Sequence, residues 1–454
     1  MKRFYRPGPL DLSSPPVYPT SPWQAQRLPR TFQPWIHHDA QSWYLSDTPS
    51  VDKLHACLTR LGQTQAWFWP EKPILFLTDL HADAQAFLAS LEACAWIQRF
   101  GPGPEEFHLA QPRDAARLIL GGDCLDKGPD NLALLRVIRR LRDLGTDLTL
   151  LAGNHDLRLL LAMRSIGATD CPRNGHFFVR LGSKAIPFFR QLLDTYPELR
   201  PTHLPSADLC RAALLPAPDW PERFAEAAAG RLTPEQIKRE LQRLAKRVNA
   251  FSQRCQVEGL NWQDIYAATR IWQQLFLQAE GEFAWFYPSL QLLEPSASLL
   301  FIHAGCDDSS ALELAERGAE VLNQRFRAAL LEEPFQLYFS SLGNMVRTKY
   351  RPQDGHLSQI GRDALERAGI LALVHGHRNL HLGQRITLRA GVLNVECDAS
   401  LNLATRSQEG LEGEGCAVTI IHPEGCILGL SNDYPSIRVF RPEQMAALIQ
   451  RLNL

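Results

Sequence analysis

Five short apolar runs, each stopping at polar residues, organise the sequence. Ile74–Leu77 precedes Asp79-Leu80-His81, and Leu118–Leu120 precedes Gly121-Gly122-Asp123. Leu148–Leu151 precedes Gly153-Asn154-His155-Asp156. Leu299–Ile302 precedes His303-Ala304-Gly305, and Ile370–Val374 precedes His375-Gly376-His377. A short apolar run closed by glycine or a turn residue reads as a buried strand. Each run therefore predicts a strand whose carboxyl end delivers Asp, Asn or His. That end is where open α/β sheets bind ligands. Laid side by side in one sheet, the five tips would share one rim.

The segments between them carry helical spacing. In 83–100 the apolar positions are Phe87, Leu88, Leu91, Ala95 and Trp96, and in Asn131 to Leu144 they are Leu132, Leu134, Leu135, Val137, Ile138 and Leu141. Residues 101–114 read as a loop. Strand, helix, strand, helix predicts a parallel βαβ core with right-handed crossovers. Residues 157–295 break this rhythm with a mostly helical stretch, far longer than an ordinary connection. Within it, Thr233-Pro234-Glu235-Gln236 is a capping box with proline at the first helical position, and Ile237, Leu241, Leu244 and Val248 form the expected buried face. More helix is expected between His303 and His375, including 311–332. The runs Val392–Cys397, Cys416–Ile421 and Cys426–Leu430 predict antiparallel strands of a second sheet. Residues 1–35 are proline-rich and read either as an extended arm wrapped on the body through Trp23 and Trp35 or as a disordered segment, with a short helix over 50–61. The expected organisation is an arm and short helix over 1–70, a core over 71–156 and 296–454, and a helical cap over 157–295.

Composition narrows the class. In 454 residues, 45% apolar and 21% charged content is ordinary for a soluble globular chain, long enough for a large core. A formal net charge of −1 offers no general basic field for nucleic acid, so any hold on phosphate is local. The ten cysteines form no C-x-x-C pair, and several lie in apolar segments. That usage fits a reducing cytoplasm. Met1-Lys2-Arg3 is followed by Pro7, Pro9, Pro15 and Pro16 instead of an apolar signal core, and no run of about 18 apolar residues predicts a membrane span. The expected location is cytoplasmic, with no membrane partner.

Two carboxylates, an amide oxygen and several imidazoles at strand tips suit a pair of divalent cations. The motifs D-x-H, G-D-x-x-D-K-G, G-N-H-D, H-x-G and G-H, in this order, resemble those of the calcineurin-like metallophosphoesterases. Asp126-Lys127-Gly128-Pro129-Asp130 with Gly153-Asn154-His155-Asp156-Leu157 is similar to the bacterial phosphoprotein-phosphatase branch, which includes symmetrical dinucleoside tetraphosphate hydrolases. The resemblance covers residues 72–160 and 295–430.

What the resemblance implies is a four-layer αββα sandwich with a large, mostly helical insertion. It implies one metal site from Asp79, His81 and Asp123, and a second from Asp123, Asn154, His303 and His377, with Asp123 bridging. His155 would be the general acid, oriented by Asp126. Lys127, where an arginine is usual, would meet phosphate as a point charge, helped by Asn154 and by Arg347 or Arg378. The cofactors would be two divalent ions, manganese first, with iron, zinc, nickel or cobalt suiting the same ligands. The implied reaction is hydrolysis of a phosphomonoester by a metal-bound hydroxide. The substrate would be a phosphorylated protein, nucleotide or small molecule. The alternatives are a symmetrical dinucleoside polyphosphate hydrolase and, from another class, a metal-dead binding scaffold. Ala82 replaces the usual glycine after His81, so that turn is expected to differ. Asn379 stands where many relatives outside the branch carry a further histidine. His375 reads as supporting or merely packed, and His381 as uninvolved. On the cap, Lys238, Arg239, Arg243, Lys246 and Arg247 could steer an anion, and Trp262, Tyr266, Trp272 and Phe276 could stack a base. A solvated face and a helical core are the plainer readings. The sequence leaves the oligomeric state open.

Overall fold

The computed structural model describes residues 10–25, 27–35, 51–167, 171–445 and 447. The parts of the proline-rich arm at 1–9 and 26, and the start of the helix expected over 50–61, lie outside the described residues. The strands, in chain order, are β1 (Thr31–Pro34), β2 (Ile74–Leu77), β3 (Ile97–Arg99), β4 (Phe107–Leu109), β5 (Arg117–Leu120), β6 (Asp147–Leu151), β7 (Leu290–Gln291), β8 (Leu293–Ser296), β9 (Leu299–Ile302), β10 (Ala372–His375), β11 (Arg385–Arg389), β12 (Val392–Glu396), β13 (Ala417–His422), β14 (Cys426–Ser431) and β15 (Ser436–Phe440). The first sheet runs β1-β15-β14-β13-β2-β5-β6-β7, the second β11-β12-β10-β9-β8. β3 and β4 form a small hairpin.

The five tip-bearing runs are all strands, but they do not lie in one sheet. β2, β5 and β6 pair in parallel in the first sheet, while β9 and β10 pair in parallel in the second. The reason is visible in the side chains. All four residues of β2 and of β9 are buried, so each strand needs cover on both faces. Alternate residues meet between the sheets: Ile74, Phe76 and Ile119 on one side, Leu299, Phe301, Val374 and Val395 on the other. The Phe76 and Phe301 rings lie 5.5 Å apart, centroid to centroid. The opposite faces, Leu75, Leu77, Leu118 and Leu120, are buried as well. Helices Ala84–Ala93 and Asn131–Asp143 pack on each other and against β13 and β6. The result is the expected α/β sandwich.

Three sequence expectations change. The helix expected over 83–100 ends at Ala93, because the chain turns at Ala95 (φ +59°) into the β3–β4 hairpin, which also occupies part of the expected loop 101–114. The helix expected over 311–332 is two helices, Asp308–Arg317 and Ala319–Glu332, parted by Gly318 at φ +79°. The C-terminal runs do not make a sheet of their own. β12 joins β10 in parallel, while β13 pairs antiparallel with β2 and β14 pairs with β13. β1 adds to β15 in parallel, Trp35 is buried, and the Arg99 guanidinium lies over Trp23 at 5.2 Å.

By contacts the chain divides into two compact units: residues 1–153, 291–326 and 341–454, and residues 154–290 with 327–340. The second unit is helical. Its longest helix, Pro234–Val257, opens with the Thr233–Gln236 capping box. The face expected to be buried is only half-buried at Ile237, Leu241, Leu244 and Val248; Glu240, Phe251 and Cys255 are the buried residues. Glu240 turns inward because it pairs with the buried Arg180. Trp272 and Phe276 stack at 4.6 Å inside this unit, so they are core. Among the described residues no helix is long and apolar enough to cross a membrane.

The second sheet also holds a buried ion cluster. Glu396 on β12 accepts from Arg378 at 2.6 Å, from Arg389 at 3.1 Å and from Arg385. Burial alone would raise the Glu396 carboxyl, but the charges of Arg378 and Arg385 overcome this and hold it below the ordinary range. A depressed carboxyl adds stability that is present above the unfolded value of about 4.3 and lost as pH falls through the folded one. Glu396→Gln strands three guanidinium groups and should cost about 3–5 kcal/mol at pH 7, measured by urea unfolding. The gap to the parent should narrow only below about pH 4.3. Phe301→Ala, which opens a cavity between the sheets, should cost about 3–5 kcal/mol in the same assay.

Candidate metal centre

The loops after the tip-bearing strands carry the candidate residues, and their backbones interlock. Asp79, His81 and Ala82 donate their N–H groups to the carbonyls of Gly122, Asp123 and Cys124 at 3.0, 2.9 and 2.7 Å. The loop after β2 thus continues to pair with the loop after β5 beyond the sheet. This pairing holds the chain in an unfavourable conformation. Asp79, His81, Asp123 and His377 all adopt left-handed backbone, with φ of +55°, +44°, +53° and +69°. Such residues cost on the order of 1–3 kcal/mol each and concentrate at functional sites. Ala82 adopts the same region, at φ +58°, so the turn survives without its usual glycine.

Two groups of potential ligands result, each with its donor atoms within 4.8 Å of one another: Asp79, His81 and Asp123, and Asp123, His303 and His377. Asp123 belongs to both. Its Oδ2 lies 3.7 Å from His81 Nε2, and its Oδ1 lies 3.5 Å from His303 Nε2. One carboxylate therefore turns one oxygen to each group. Asp79 Oδ1 stands 3.8 Å from His81 Nε2, while Asp79 Oδ2 accepts from the Thr78 hydroxyl (2.7 Å) and the His377 N–H (2.8 Å). The last bond ties a tip of the first sheet to a tip of the second. It needs Gly376, since a Cβ there would strike Asp79 Oδ2; at Gly153 a Cβ would strike the backbone and Oδ1 of Asp123.

The histidine tautomers follow from their partners. His303 Nδ1 donates to the Gly121 carbonyl (2.7 Å), which turns Nε2 to Asp123. His377 Nε2 donates to the Arg347 carbonyl (3.1 Å), which leaves Nδ1 for an ion. The donor set tests well against a divalent cation. Asp79 and Asp123 are buried together, and like charges at such spacing need positive charge beside them. Lys127 supplies some of it, its Nζ resting against His81 Nε2.

The other sequence candidates fall as follows. Asp126 accepts the Lys127 N–H on Oδ1 (2.9 Å), at φ +74°. Asn154 and His155 open the helix Asn154–Ser165 in the second unit. There Arg158 Nη2 lies 2.8 Å from His155 Nδ1 and 3.1 Å from Nε2. Arg347 is half-buried, and Arg378 is buried against Glu396 with its guanidinium 4.9 Å over Tyr350. His375 is packed: its ring meets the Gly376 carbonyl and Asn394 Oδ1, and burial pushes it down to about 4. His381 is exposed, 3.4 Å from Glu409.

Three residues escaped the sequence reading. Arg158 follows His155 by one helical turn. Lys349 is exposed, and its ammonium pKa is lowered by partial desolvation and by Arg351 and Lys127, against Asp398 and Asp79. Asp398 is buried just beyond β12, and the rule that found the other tips (an apolar run ending in Asp) would have found it too.

The sequence profile described as calcineurin-like phosphoesterase matches residues 72–206. No curated protein matches the chain. Among solved structures, a cold-active protein-tyrosine phosphatase of a psychrophile, Shewanella sp., matches at 14% identity over 82% of this chain and 81% of that one, with a TM-score of 0.41. A Saccharomyces cerevisiae protein serine/threonine phosphatase with similarity to human phosphatase PP5 matches at 11% identity over 86% and 89%, with a TM-score of 0.35. A putative diadenosine tetraphosphatase matches at 12% identity over 81% and 98%, with a TM-score of 0.29. The profile match spans the loops that carry Asp79, His81, Asp123 and Asn154, and over that region the chain is similar to the calcineurin-like phosphoesterases.

Proposed function

We propose that this protein is a two-metal phosphoesterase that hydrolyses a phosphomonoester, in the manner of a phosphoprotein phosphatase. The observation that carries the reading is the pair of ligand groups sharing Asp123. Asp79, His81 and Asp123 would hold one divalent ion. Asp123, His303 and His377 would hold the other, with Asn154 assigned to it from the motif. Oxygen and imidazole donors suit manganese, and equally iron, zinc, nickel or cobalt. Bound there, two cations would withdraw charge from the phosphoryl oxygens and lower the pKa of a shared water.

The chain's own residues supply the rest. His155 would protonate the leaving oxygen, with Asp126 orienting it. Lys127, Asn154 and Arg347 would receive phosphoryl oxygens. Lys349 is a better second cation than Arg378, whose guanidinium is engaged by Glu396. A specific observation also favours the second reading, a symmetrical dinucleoside polyphosphate hydrolase. Within the helical unit, Arg158 beside His155 and the neighbouring Arg180 act on Arg247; burial and these charges push it down to about 10. Arg180 is itself paired with Glu240, so Arg158 and Arg247 are the cations this unit would offer a substrate with more than one phosphate. Comparing turnover of an aryl phosphate, a phosphopeptide and diadenosine tetraphosphate separates the two. The intact ligand set argues against a metal-dead scaffold, and the cysteines, all free thiols, support a reducing, cytoplasmic location.

Asp123→Asn should abolish turnover of an aryl phosphate with added manganese, by a factor of about 10³ or more; retained activity would sink the mechanism. His155→Asn should lower kcat by about 10²–10⁴ while bound metal, counted by elemental analysis, stays at the parent level. Metal lost in that variant would make His155 a ligand.

A further inference from the structure

Asp398 stands at the tip of a sixth strand. β12 pairs in parallel with β10, so its end emerges beside His375-Gly376-His377. Two backbone bonds fix the tip there. Cys397 donates its N–H to the His375 carbonyl at 2.8 Å, and the Asp398 carbonyl accepts the Leu380 N–H at 2.8 Å. Asp398 is therefore locked on both flanks to the loop that carries His377.

Its side chain is 2% exposed. Oδ1 accepts the Ser400 N–H at 3.2 Å. Oδ2 has no hydrogen-bond partner among the described residues. The charges that act on this carboxylate include Asp79 and Asp123, which oppose its ionisation, and Lys127 and Lys349, which favour it. A buried carboxylate oxygen with no donor is costly, and two neighbouring carboxylates raise that cost. The group formed by Asp79, His81 and Asp123 provides three protein ligands, and divalent ions of this kind accept up to six. An ion held there would have positions left for water, which is a hydrogen-bond donor.

Resting on the two-metal reading above, we propose that Asp398 is a positioning residue of the first cation site, its Oδ2 accepting a hydrogen bond from the water shell of the ion held by Asp79, His81 and Asp123. Outer carboxylates of this kind typically change metal affinity by about 10–100-fold. The Asp123, His303 and His377 site would not depend on it.

The test is manganese binding by the full chain, followed by calorimetry and electron paramagnetic resonance, together with thermal melts in the presence and absence of metal. The parent should bind two ions. Asp398→Asn and Asp398→Ser should each weaken one ion by about 10–100-fold and leave the other at parent affinity. Without metal, Asp398→Asn should melt at or above the parent temperature, because a buried charge with no partner has gone. Its gain on adding manganese should be smaller than the parent's. Parent affinity for both ions in the variants would overturn the inference and leave the metal centre standing. A parent that binds no manganese would overturn the centre itself. Lowered melting of both variants without metal would assign the carboxylate to packing and also overturn the inference.

Discussion

Everything in the larger unit answers to one electrostatic demand: Asp79 and Asp123 must be held buried and close, against their own repulsion. Water is not there to screen them. The chain meets the demand with directed donors. Thr78 and the His377 amide fix one oxygen of Asp79, and three imidazoles surround what is left. The backbone at four of these positions lies in the left-handed region, which unsupported loops would leave. Support comes from below, where the apolar faces of both sheets lock together around Phe76 and Phe301.

The sandwich architecture explains why two sheets serve better than one. A single sheet offers its tips along a line, at nearly 5 Å per strand. Two facing sheets offer tips from opposite sides, which can close around an ion. Asp123 comes from the first sheet, His303 and His377 from the second, and the Asp79–His377 bond joins the two rims. The glycines at 153 and 376 are the steric condition for this approach. The same closeness restricts the second sheet's polar interior. Three arginines, Arg378 among them, share Glu396, so the Arg378 guanidinium beside His377 is engaged inside the second sheet.

Much was legible in the sequence because burial on both faces leaves an unbroken apolar run. All five runs became strands, and each predicted tip residue sits where its strand ends. Helix starts were legible where a side chain caps its own backbone, as at Asp130 and Thr233. Helix ends were not, because Ala95 turns the chain through a conformation its residue type does not advertise. Burial of the helix Pro234–Val257 was misjudged for a related reason. Glu240 is inward because Arg180, sixty residues earlier, needs a carboxylate.

The sequence alone determined which residues could bind metal, since that depends on donor atoms and on the local rule that polar residues cap buried strands. It also determined that the chain had the apolar content for a layered α/β core. Tertiary structure decided the rest: that the five strands divide three and two, that β12 stands beside β10 and brings Asp398 to the same rim, and that Arg378 turns to Glu396. Strand order, and the choice among several possible counter-charges, depend on pairings between residues far apart in the chain. No local pattern encodes them, because the energy that selects them exists only once both partners are buried together.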